Sequence, residues 1–95
     1  MTRAERVSRH EIQRLLGISE EFLVALERER IVEVDPQGLH DRRDLHRIRV
    51  AWNLNQDLGV NLAGLEVALH LLERIEQERR QFREVLGWLQ QRVGG

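Results

Sequence analysis

Few side chains in this chain could do chemistry, and most of those are better explained by helix ends. Ser8 and Ser19 are the only serines. Each stands where a helix start needs a short hydroxyl, so both read as caps rather than nucleophiles. His10, His40, His46 and His70 make no i, i+4 pair, and none has a carboxylate at the spacing of a zinc motif. All four read as solvated or capping histidines. Asp41 and Asp44 form the nearest thing to a carboxylate pair, but at the front of a helix capping and the helix dipole account for them. Gly38, Gly59, Gly64 and Gly87 are scattered, so no glycine loop cradles a phosphate. There is no cysteine, which excludes a thiol nucleophile, a disulfide framework and a thiolate metal site. The expectation is a non-enzyme with no cofactor, no metal and no catalytic residue.

The 95 residues leave room for one hydrophobic core. With 33% charged and 41% hydrophobic residues and a mean hydropathy of -0.48, the composition is that of a foldable, water-soluble chain. Met1 to Arg6 has no apolar run behind its positive charge, so no signal peptide is expected and the cytoplasm is the default, with no membrane partner. All fifteen basic residues are Arg, which reads as genome composition; against sixteen acids they leave -1 overall. No global field draws the chain to nucleic acid or anionic lipid, and partners must be selected by local patches.

The elements follow from caps and periodicity. Ser8 and Glu11 have the form of a capping box ahead of Ile12, Leu15 and Leu16, which starts a short helix. Gly17-Ile18-Ser19 reads as a tight turn into a second helix, about Glu20 to Arg30, with Phe22, Leu23 and Leu26 inward. Two short helices across such a turn suggest a helix-turn-helix. The β-branched run Ile31 to Val34, followed by the turn residues Asp35-Pro36-Gln37-Gly38, predicts a small hairpin or wing. Asp41 then caps a third helix with Leu45, Ile48, Trp52 and Leu58 inward, ending at Gly59, and Asn61 starts a fourth. The fold class is therefore all-α with a minimal β wing, a winged helix-turn-helix-like domain over 1–60 followed by a long helix over 61–95.

That last helix runs to about Arg92, roughly 45 Å, and must overhang so small a core. Leu65, Leu69, Leu72, Ile75, Arg79, Phe82, Leu86, Leu89 and Val93 recur at steps of three and four, close to a heptad stripe. A homodimer is expected, with Leu69, Leu72, Ile75, Phe82, Leu86 and Leu89 in its seam; the competing reading is a break near Gln81 or Gly87 that folds the helix back.

Charge weighs against the usual use of a helix-turn-helix, which is to place its second helix in the major groove. From Ile18 to Asp35 two bases stand against six acids, leaving -4 on the segment that should meet phosphates. Arg42, Arg43, Arg47 and Arg49 on the third helix are offset by Asp41, Asp44 and Asp57, and the first sixteen residues carry +2.

The order of elements resembles the MerR-type winged helix-turn-helix over nearly the whole chain, and Asp44-Leu45 keeps the MerR-like start of the third helix. Gly17-Ile18-Ser19-Glu20-Glu21, Ile31-Val32-Glu33-Val34 and above all Asp57 to Leu72 (DLGVNLAGLEVALHLL) resemble the chaperone-modulator family CbpM. MerR-type regulators carry an Arg-Tyr-Tyr-like stretch in the second helix and an Arg-x-Tyr before the third. Here Ala25-Leu26-Glu27-Arg28 and Gly38-Leu39-His40 stand in those places. The CbpM resemblance implies binding to the J-domain of a DnaJ-type co-chaperone and restraint of its action on DnaK. J-domains offer a basic helical surface, so Glu20, Glu21, Glu27 and Glu29, with Val24 between carboxylates on one face, are the expected contacts. The alternative is a MerR-type DNA-binding transcriptional regulator.

Overall fold

The computed structural model describes residues 5–93, with the side chain of Val93 excluded. Arg3, part of the basic N-terminal count, and the side chain of Val93, the last member of the stripe, lie outside the described residues. The chain order is β1 (Arg6–Ser8), α1 (Arg9–Leu16), α2 (Glu20–Arg28), β2 (Leu39–Asp41), α3 (Asp44–Leu58) and α4 (Leu62–Val93). This is a mostly helical winged helix-turn-helix with a long last helix.

Local chemistry sets the helix ends. The Ser8 hydroxyl accepts from the Glu11 amide at 3.1 Å and the Glu11 carboxylate accepts from the Ser8 amide at 3.1 Å, a reciprocal capping box. Gly17 takes the left-handed conformation at the end of α1, and Ser19 accepts from the Phe22 amide to begin α2. The second helix ends at Arg28 rather than Arg30, in a Schellman arrangement: the Arg30 amide donates to the Glu27 carbonyl and the Ile31 amide to the Leu26 carbonyl. Leu26 and Ile31 are both buried, the apolar contact that accompanies this motif. Arg30 supplies its left-handed residue, at φ 59°, where glycine is usual. The third helix closes at Gly59, φ 68°, and Asn61 accepts from the Gly64 amide at 2.8 Å to open α4.

The wing differs from expectation. Ile31 to Val34 form no strand; Ile31 and Val32 are buried in the core, and their β-branched character serves packing. The strand that pairs with β2 is β1, antiparallel, in the register Arg6 to Asp41, Val7 to His40 and Ser8 to Leu39. The turn at 35–38 is as its residues dictate, since Asp35 accepts from the Gln37 and Leu39 amides at 2.9 and 2.8 Å. Asp41 accepts from the Arg43 amide at 2.8 Å and so organises the turn ahead of α3, whose N-cap position is Arg43.

One core joins all the helices: Val7, Ile12, Ile18, Leu23, Leu26, Ile31, Val32, Ile48, Ala51, Leu65 and Leu69. Phe22 meets Trp52 edge to face at 5.1 Å, tying α2 to α3. Leu15 and Leu58, expected inside, are exposed, Leu58 at 72%. Each sits in the last turn of its helix. Leu65 and Leu69 place the first two turns of α4 in the core. From His70 to Arg92 every residue but Gly87 is exposed, and the helix neither breaks nor folds back among the described residues. The long axis of the molecule, 53 Å, is the consequence.

Candidate functional site

The solvent face of α2 begins with Glu20 and Glu21, both exposed, in its first turn. Together with Val24 and Arg28 they line one shallow surface depression. Three of the five expected contacts are thus side by side, Glu21 among them. Glu29 is exposed but lies past the end of the helix, at its C-cap.

Glu27 has a different task. Its side chain is only 10% exposed, and it joins three elements. Oε1 accepts from Arg9 Nη2 at 2.6 Å, and Oε2 accepts from Arg9 Nε at 3.3 Å and from His40 Nε2 at 2.7 Å. Since a carboxylate only accepts, Nε2 is the donor of the histidine. His40 on β2 is fully buried, against the expectation of a solvated or capping histidine, and its Nδ1 has no partner among the described residues. Burial disfavours the charge on Glu27, but the hydrogen bonds from Arg9 and His40 outweigh it and hold the carboxyl below its ordinary range. The same hydrogen bond raises the Arg9 guanidinium further above its ordinary value. Glu27 is therefore a fastener between α1, α2 and the wing, withdrawn from the outward face assigned to it. Arg9 also reaches toward Glu20 at 3.8 Å from the edge of that face.

A second group of acids, Glu33, Asp35, Asp41 and Asp44, surrounds a depression beside the wing together with Arg6, Val34 and Arg43. Most of its charge is already answered. Arg43 donates to Asp41 from Nε and Nη2 and holds that carboxyl down to about 2. Arg6 stands 3.9 Å from Asp35. Burial, and then the neighbouring Asp41, push the Asp44 carboxyl up. On the third helix, Arg47 is not a free cation either: Nε donates to the Ile31 carbonyl at 2.9 Å and the guanidinium pairs with Glu73 of α4.

Of the expected dimer residues, Leu72, Ile75, Phe82, Leu86 and Leu89 are exposed, while Leu69, 3% exposed, belongs to the chain's own core. No group of three or more His, Asp or Glu among the described residues could hold a metal ion. No helix among them is long and apolar enough to cross a membrane.

Neither the curated proteins nor the solved structures contain a match to the chain. A family model does match, that of the MerR HTH family regulatory proteins, over residues 7–85, from β1 through most of α4. With helix-turn-helix, wing and long helix in the order of that match, the chain belongs to the MerR HTH family of regulatory proteins.

Proposed function

We propose that this MerR-family domain works as a protein-binding modulator: it occupies the J-domain of a DnaJ-type co-chaperone and restrains its action on DnaK. The observation that carries this reading is the first turn of α2. A helix that enters the major groove brings its N-terminal residues to the base edges, with cations to meet the flanking phosphates. Here that turn presents Glu20 and Glu21 to solvent; Arg9 stands 3.8 Å from Glu20 at the edge of the face, and the next base on it, Arg28, lies two turns away. A carboxylate pair in that place repels phosphates and attracts a basic helical surface, the kind a J-domain offers according to the CbpM-like residues at 17–21, 31–34 and 57–72.

The mechanism is masking. Glu20 and Glu21 supply electrostatic steering and register, and Val24 between them and Arg28 supplies an apolar contact at the centre of the patch. The reading assigns the chain no reaction and no cofactor, and places it in the cytoplasm with its co-chaperone. A gel shift with duplex DNA at low salt, run beside co-elution with a purified J-domain, tests it. A complex with the J-domain and none with DNA is expected; DNA binding that falls steeply with salt, with no J-domain complex, would make the chain a DNA-binding regulator instead.

A further inference from the structure

The first turn of α2 is acidic, but the outward face of the helix as a whole carries both signs of charge. Glu20 is offset by Arg9, 3.8 Å away at the edge. Glu21 and, two turns on, Arg28 are exposed, and neither makes an ion pair among the described residues. Glu21, Val24 and Arg28 stand at i, i+3 and i+7, within about 60° of one another around the helix, and line the same depression. Glu29 follows Arg28 about 100° further round and takes no part in that lining. The helix dipole favours an acid in the first turn and a base in the last, which explains why both are tolerated there. It leaves both charges open to a partner. The face thus ends in an unanswered anion on one side and an unanswered cation on the other, roughly 10 Å apart along the axis, with the half-buried Val24 between them.

We infer that Arg28 is a specificity-determining residue of the docking face: it pairs with an acidic side chain of the partner, which must present a base to Glu21 and an acid to Arg28 about two turns apart. The inference rests on the J-domain reading above and narrows it. Any α-helix rises over seven residues by as much as α2 does from Glu21 to Arg28, so a base and an acid seven positions apart on one partner helix meet both charges at once. A side chain between them lies over Val24. A helix that is basic along its whole length sets a cation against Arg28, and that juxtaposition rejects it as a wrong partner. Register is fixed by the same means, because a slip of one turn leaves one of the two pairs unmade.

Removing the Arg28 charge separates this inference from simple attraction between an acidic face and a basic surface, since the two give effects of opposite sign. Were net charge alone to govern docking, Arg28→Gln would bind more tightly than the parent. The experiment is a calorimetric titration of the purified J-domain of a DnaJ-type co-chaperone into the parent, Arg28→Gln and Arg28→Lys at low and high salt, with circular dichroism melts to show that each is folded. Arg28→Gln should bind about threefold to fivefold more weakly than the parent at low salt, as for an exposed ion pair, and the difference should narrow at high salt. Arg28→Lys, which keeps the charge, should stay within about twofold of the parent. Equal or tighter binding by folded Arg28→Gln, or an equal loss in Arg28→Gln and Arg28→Lys, would overturn the inference and leave the J-domain reading standing. No complex with the parent would remove that reading, and the inference with it.

Discussion

Removing the Glu27 carboxylate should unfasten the domain without touching its outward face. In Glu27→Ala the buried His40 ring, whose Nδ1 is already unpartnered, loses its one hydrogen bond, and Arg9 loses both of its contacts at 2.6 and 3.3 Å. A hydrogen bond to a charged group contributes about 1.5–3 kcal/mol, and a buried polar group left without a partner costs about 1–3 kcal/mol. Arg9 is about one-third exposed and regains water, so its share is discounted. The net loss should be about 2–3 kcal/mol, which for a domain of this size lowers Tm by roughly 10–20 °C. Glu27→Gln keeps an acceptor for one partner and should lose about half as much. Urea and thermal unfolding followed by circular dichroism measure both, with Glu20→Gln, on the exposed face, as the comparison expected to stay within about 0.5 kcal/mol of the parent. A Glu27→Ala protein that melts within about 3 °C of the parent would refute the fastener and return Glu27 to the docking surface.

The same carboxylate sets part of the acid response. A carboxyl whose folded value is depressed contributes stability above its unfolded value, about 4.3, and loses it as pH falls through the folded value; between pH 7 and pH 3 the parent should therefore lose more Tm than Glu27→Gln does. Arg30→Gly should raise stability by about 0.5–1 kcal/mol in urea unfolding, because glycine relieves the left-handed backbone at φ 59°. Gly64→Ala should lower it by about 1 kcal/mol despite alanine's helix propensity, since a Cβ there meets Val60 Cγ1 at 2.8 Å and Asn61 Oδ1 at 3.2 Å; a more stable variant would contradict this. Ser8→Ala removes the reciprocal cap of α1 and should cost about 1 kcal/mol by the same measurement.

The features legible in the sequence are those decided within one turn of chain. Ser8 with Glu11, Ser19 with Phe22, Gly17, Gly59, and Asn61 with Gly64 all pair groups no more than four residues apart, and the short-range code names them. Pairings across distance have no such code. Strand β1 meets β2 across more than thirty residues, and no alternation in three residues announces it, so the β-branched Ile31 to Val34 looked more strand-like than either. Nor does helical spacing say which of two carboxylates faces out. Glu20 and Glu27 share a side of α2, yet Arg9, eighteen residues before Glu27, and His40, thirteen after, draw Glu27 inward. A histidine on a short strand beside leucine was the one signal available. The long helix shows the same limit: its length and apolar stripe are plain in the sequence, but only the packing shows that Leu65 and Leu69 belong to the chain's own core while Leu72, Ile75, Phe82, Leu86 and Leu89 stay exposed.

Masking of a J-domain by the acidic first turn of α2 is the central claim, and a calorimetric titration tests it most directly. The purified J-domain of a DnaJ-type co-chaperone from the same organism would be titrated into the parent and into Glu20→Lys/Glu21→Lys, at low and at high salt, with Tm recorded to show that both proteins are folded. The account predicts saturable binding to the parent that weakens with salt, and at least about a tenfold loss in the doubly reversed variant, the equivalent of roughly 1.4 kcal/mol. No heat and no complex with the folded parent at either salt, or an affinity indifferent to the reversal, would contradict it.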